Sequence, residues 1–111
     1  MSATKTILLV DDDEDLRGAL KEQFELYDTF SIIEAANAAD GISAAKTGRV
    51  DLILLDVELP DMDGRDACKL MRRDGIRAPV IMLTGQTTDA DTILGLDSGA
   101  NDYVNKPFKF S

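Results

Sequence analysis

Histidine is missing from this 111-residue chain. That absence excludes imidazole acid–base catalysis and His-ligated metal sites. Cysteine occurs once, as Cys68, so no internal disulfide can form. A lone thiol fits a reducing compartment, and Cys68 reads most simply as a small apolar residue on a helix. Positive charge is scarce: 12 Lys and Arg stand against 21 Asp and Glu, a net charge of −9. Such a surface repels a phosphate polymer, so direct nucleic-acid binding by this domain is not expected. The acidic balance suits cations, or partners with basic patches. No apolar run is long enough to span a bilayer, and Met1–Thr6 is too short and polar for a signal peptide. A cytoplasmic chain without membrane contact is expected.

With 44% apolar and 30% charged residues, the composition is that of a globular protein. The length is that of one domain, residues 1–111, able to bury a core without staples. Leu52-Ile53-Leu54-Leu55 is a short unbroken apolar run that ends in Asp56. Pro60 and Gly64 follow closely. This reads as a strand buried on both faces, followed by a loop. Ile7–Val10, Phe30–Ala35, Val80–Leu83 and Asp102–Asn105 read as further strands. Between them lie helix patterns. Leu16, Leu20, Phe24 and Tyr27 step by four, four and three. Asn37 caps an Ala-rich helix from about Ala38 to Thr47, stopped by Gly48. Ala67, Leu70 and Met71 mark a third helix, ending near Asp74-Gly75. A fourth, weaker pattern runs from Thr88 to Ser98. Alternating strands and helices of this kind imply a parallel α/β sheet, doubly wound, with helices on both faces.

In a parallel sheet, all strand ends of one kind lie along one edge. Asp11 and Asp12 follow the first strand, Asp56 ends the third, Thr84 the fourth, and Lys106 the fifth. Helix capping explains one or two acids of the run Asp11–Asp15, but not five in a row, whose repulsion asks for a cation. Taken singly, Asp56 could cap a loop, Thr84 a helix, and Lys106 could be a solvated charge. Together they supply oxygen ligands for Mg²⁺, a carboxylate nucleophile for a phosphoryl group, and a hydroxyl and an ammonium to offset charge.

These residues also carry a family resemblance. Leu9-Val10-Asp11-Asp12, Leu55-Asp56 with Leu59-Pro60-Asp61-Met62-Asp63-Gly64, Leu83-Thr84-Gly85, and Gly99-Ala100-Asn101-Asp102-Tyr103 before Lys106-Pro107-Phe108 stand in matching order and spacing from about Lys5 onward. The chain resembles the receiver domain of a bacterial two-component response regulator. The resemblance implies a five-stranded flavodoxin-like sheet of order 2-1-3-4-5. It implies Asp56 as phospho-acceptor in a Mg²⁺-dependent reaction, with a sensor histidine kinase or phosphotransfer protein as donor. Asp11 and Asp12 would hold Mg²⁺, Glu58 would lend its backbone carbonyl, Thr84 and Lys106 would contact the phosphoryl group, and Tyr103 would switch with Thr84. The resemblance implies a phosphoacceptor regulator that catalyses its own phosphorylation and dephosphorylation rather than an enzyme of turnover. The Lys106–Pro107 bond would be cis. The family's fifth helix is absent from this chain. That leads to expectations of a truncated receiver, a lost output domain, and self-association to cover a bared sheet face.

Other readings are less well served. A Mg²⁺-dependent phosphatase with an Asp nucleophile uses a second Asp two residues on, where this chain has Glu58. A degenerate receiver serving only as an interaction surface would not keep every signature position. A calcium loop beginning at Asp61 would need Glu at its twelfth place, which is Arg72. One beginning at Asp11 would need Gly at its sixth, which is Leu16.

Overall fold

The computed structural model describes residues 4–85 and 99–105. Its elements alternate as the sequence pattern implies. They are β1 (Lys5–Val10), α1 (Glu14–Glu25), β2 (Phe30–Ala35), α2 (Ala38–Thr47), β3 (Leu52–Asp56), α3 (Gly64–Arg73), β4 (Val80–Thr84) and β5 (Asp102–Asn105). The strands form one sheet of order β2-β1-β3-β4-β5. Every neighbouring pair is parallel. The expected helix over Thr88–Ser98 and the Lys106-Pro107-Phe108 turn lie outside the described residues.

Alternation along the strands divides the core between the two sheet faces. Leu8, Val10, Ile53, Leu55, Val80 and Met82 turn to one side and pack with Ala38 and Ala45 of α2 and Ala67, Cys68 and Met71 of α3. Ile7, Leu9, Leu54 and Leu83 turn to the other, beneath Leu16, Leu20 and Phe24 of α1. The small residues of α2 let it lie close to the sheet. A Cβ on Gly41 would sit 2.8 Å from a Val10 methyl, too near for any side chain. Cys68 is fully buried in this core and makes no disulfide.

Helix ends follow local chemistry. Asp13 caps α1 by accepting from the Leu16 N–H (3.1 Å), with Glu14 and Asp15 in the first turn. Asn37 caps α2 through the Asp40 N–H (2.8 Å). Asp63 caps α3 through the Arg65 N–H (2.8 Å). Caps of this type are worth about 1 kcal/mol each. One residue departs from its pattern. Tyr27 steps in phase with Leu16, Leu20 and Phe24, yet α1 ends at Glu25. Leu26 and Tyr27 donate to carbonyls three residues back, Gln23 and Phe24. This tightens the last turn and carries Tyr27 off the apolar stripe. Tyr27 is 62% exposed, its ring set nearly perpendicular to that of Phe30 with centroids 6.2 Å apart.

At the sheet's amino edge, Arg72 joins three segments. Its guanidinium donates to the carbonyls of Ile76, Ala78 and Gly99 and to the Asn101 side chain, at 2.8–3.0 Å. The same Asn101 oxygen accepts from the Val80 N–H, so the turn before β5 is fastened to the start of β4. Gly99 approaches with φ +105, where a Cβ would be strained and would strike the Arg72 side chain.

Candidate metal centre

The registers bring the acidic residues together. Val10 lies opposite Leu55, so Asp11 and Asp56 continue two adjacent strands by one residue. Asp11 and Asp56 are 2% and 4% exposed, while Asp12 faces solvent. Asp11, Asp12 and Asp56 each offer a carboxylate oxygen, all within 4.8 Å of one another. Carboxylate oxygens are hard donors of the kind that Mg²⁺ and Ca²⁺ take, and a set of three leaves positions for water or phosphate oxygens. The residues present therefore fit a divalent cation. Without one, three carboxylates at this spacing repel each other.

Several bonds hold this cluster in shape. The Asp11 carboxylate accepts from the Asp13 N–H (2.9 Å), which turns the chain from β1 into α1. Arg17, one turn into α1, donates to the Asp11 backbone carbonyl and pairs with Glu34 of β2 at 3.2 Å. Lys21 adds a longer pair to the same Glu34, at 3.8 Å. The acidic run thus divides its labour: Asp13, Glu14 and Asp15 serve the helix start, and Asp11 and Asp12 serve the cluster.

The loop after Asp56 is tied down at both ends and at its tip. The Glu58 N–H donates to the Asp56 carboxylate (3.3 Å). Gly64 donates to the Val57 carbonyl (2.7 Å), and Glu58 and Asp63 form an antiparallel bridge. A Cβ on Gly64 would overlap the Asp56 carbonyl oxygen, so only glycine fits there. At the tip, Asp61 reaches α2 and accepts from the Ala38 and Ala39 N–H groups, at 2.8 and 2.9 Å. These backbone bonds from Ala38 and Ala39 hold the Asp61 carboxyl below its ordinary range. Asp63 is lowered as well, first by the side-chain bond from Arg65, whose Nε and Nη2 grip it at 2.9 and 2.6 Å.

The remaining expected site residues are placed unevenly. Thr84 is buried at the end of β4, one residue past the Asp56–Leu83 pair. Tyr103 pairs with Met82 through the β4–β5 ladder, and its side chain lies outside what is described. Lys106 lies outside the described residues. Sequence reasoning missed the parts played by Asp61 and Arg17. Asp61 reads locally as a turn residue, and nothing within a short window announces a bond to a helix 23 residues earlier. Arg17 carries no signal beyond its place one turn into an acidic helix start.

No helix among the described residues is long and apolar enough to cross a membrane. Residues 7–111 match the family described as the response regulator receiver domain. The chain is 39% identical over 104 residues to the alkaline phosphatase synthesis transcriptional regulatory protein PhoP of Bacillus subtilis, covering 94% of this chain and 43% of that protein. It is 45% identical over 105 residues to the DNA-binding response regulator MtrA of Mycolicibacterium smegmatis, covering 93% and 44%. The chain thus spans less than half the length of these curated relatives. Among solved structures, a Francisella response regulator receiver domain superposes with a TM-score of 0.89 at 30% identity, over 96% of this chain and 87% of that one. A two-component response regulator from Clostridium difficile gives 0.89 at 32% identity, over 96% and 86%. Sheet order, acidic cluster and family match converge: the chain belongs to the response regulator receiver domains of two-component systems.

Proposed function

We propose that this domain is a phosphorylatable switch whose acceptor is Asp56. The observation that supports it best is the meeting of Asp11, Asp12 and Asp56 within 4.8 Å at the carboxyl edge of a parallel sheet, where open α/β folds bind their ligands. In the reaction, a carboxylate oxygen of Asp56 forms a bond to phosphorus. The bond from phosphorus to the donor breaks, and its electron pair leaves with the donor. The donor is a phosphohistidine of a sensor kinase or phosphotransfer protein, or a small acyl phosphate.

Asp11 and Asp12 would hold Mg²⁺ together with Asp56 and the Glu58 backbone carbonyl. Bound there, the cation would supply positive charge against the phosphoryl oxygens. The fastened loop keeps Glu58 beside Asp56. The N–H of Glu58 steadies the carboxylate, and the Gly64 contact leaves the loop one path. Thr84 would offer its hydroxyl, and Lys106 its ammonium, to the new phosphoryl oxygens. Tyr103 would follow Thr84, passing the change to the surface near β4 and β5. The relatives named as DNA-binding regulators suggest that an output domain reads that surface.

Incubation with a small phosphodonor and Mg²⁺, followed by intact mass, tests the proposal. A single phosphoryl addition is expected in the wild type, with none in Asp56→Asn and none after chelation. Equal labelling of Asp56→Asn would overturn the assignment.

A further inference from the structure

The amino edge of the sheet carries a feature that the acceptor site does not use. A cavity of about 400 Å³ opens between the loops that follow α2 and α3. Its apolar wall includes Val50, Ile76 and Ala78, all half-buried. Its rim carries Lys46, Arg49 and Arg77. Lys46 is engaged with Asp74 at 3.0 Å, a pair that links α2 to the end of α3. Arg49 and Arg77 are exposed and form no ion pair among the described residues. A second cavity, of about 480 Å³, adjoins it and shares Gly75, Ile76 and Arg77.

Basic residues in a helix's last turn are ordinary complements to its dipole, which accounts for Lys46 and Arg72. Arg49 and Arg77 lie in loops beyond the helices, so that account does not reach them. In a chain of net charge −9, these two arginines on the rim of one cavity are engaged neither by a helix dipole nor by an ion pair among the described residues. The guanidinium fork matches the paired oxygens of phosphate and carboxylate, and a doubly charged phosphate answers two arginines at once. The volume falls within the range of about 300–1,000 Å³ for small-molecule sites, and the lining sets apolar Val50, Ile76 and Ala78 beside Arg49, Arg77 and the Lys46–Asp74 pair. The acidic pole does not cancel this one. β3 separates them by five residues, roughly 16 Å at ~3.3 Å per residue, against a screening length of about 8 Å.

We propose that this cavity binds a small phosphate ester with a planar or apolar body, of nucleotide size. The phosphate lies between Arg49 and Arg77, and the body rests on Val50, Ile76 and Ala78. The proposal is independent of the acceptor chemistry at Asp56.

The test is a titration of the isotope-labelled 111-residue chain with adenosine monophosphate, in chelator so that no metal bridges the nucleotide to the acidic cluster. Saturable amide shifts are expected at Gly48–Val50 and Gly75–Ala78, without matching shifts at Asp11–Asp13 or Glu58. The Arg49→Gln/Arg77→Gln variant should bind about tenfold more weakly or worse, as for loss of charge-assisted bonds. Both arginines are exposed, so its circular dichroism should match the wild type. Asp56→Asn should bind like the wild type. Failure to shift at millimolar nucleotide, or equal affinity in the double variant, would overturn the proposal. So would pyrophosphate binding as tightly as the nucleotide, which would leave the apolar wall no part. Binding of a glutamate-rich peptide in place of the nucleotide would assign the patch to a protein partner and also overturn it.

Discussion

Asp12 is the residue where the cluster's two demands pull apart. It faces solvent, while Asp11 and Asp56 are buried beside it. Removing its charge takes away one repulsion and one candidate ligand together. Asp12→Ala is therefore expected to gain about 1 kcal/mol of metal-free stability, the Coulomb scale for a solvent-facing pair at this spacing. It should also lose about tenfold or more in Mg²⁺ affinity, since supporting residues alone commonly account for that much. Denaturant titrations in chelator and calorimetric Mg²⁺ titrations check the two halves. Asp61 gives a pH signature instead. Its carboxyl is held low in the folded protein by the Ala38 and Ala39 N–H groups. A depressed folded pKa contributes stability above the unfolded value of about 3.9, and that stability is lost as pH falls through the folded pKa. Asp61→Ala should therefore be less stable than the wild type at neutral pH, and the two should converge as pH falls below the folded pKa of Asp61. A gap that stays constant through the acid limb would show that the charge contributes nothing. Residue types told much at this scale: three acids at strand ends announced the cluster that they form. What Asp61 and Arg17 do was not legible, because their partners are set by the packing of α2 and α1 rather than by neighbours in sequence.

Individual elements were largely legible because their signals are local. Asn37 and Gly48 bracket α2 as its sequence suggests. The apolar run of β3 emerges as the strand at the sheet's centre. Tyr27 defeated periodicity, since a tightened last turn changes the step from one residue to the next. Gly18 marks a place where α1 can be improved. It sits within the helix, exposed, with nothing within 4 Å of where a Cβ would be. Gly18→Ala should raise stability by about 0.5–1 kcal/mol through helix propensity alone. Thermal melting should rise by a few degrees, and a lowered midpoint would mean that α1 has company on that face. Gly64→Ala is the opposite case. Its Cβ would collide with the Asp56 backbone, so the loop must shift and carry Glu58 with it. Loss of Mg²⁺ binding with the fold retained, read by amide spectra, is the expected result.

At the scale of the whole molecule, the sheet is fastened at one edge and carries the acidic cluster at the other. Arg72 holds the amino edge through five donors, joining α3 to the segments before β4 and β5. Arg72→Lys keeps the charge and loses the fork, so a cost on the order of 3 kcal/mol is expected from about 1 kcal/mol net per bond lost. Urea unfolding measures it, and an unchanged midpoint would show the fork to be redundant. The parallel order was legible from the alternation of elements, while the Arg72 staple was not, since its acceptors are mostly backbone carbonyls that any residue provides. The proposed switch requires that Asp56 alone take the phosphoryl group, with a metal held by the carboxylates beside it. Borohydride reduction of the phosphodonor-treated chain, followed by peptide mapping, tests it most directly, because an acyl phosphate on aspartate is reduced to homoserine. Conversion is expected at Asp56 only, with none when chelator is present. Conversion at Asp11, Asp12 or another aspartate, or at Asp56 regardless of chelator, would contradict it.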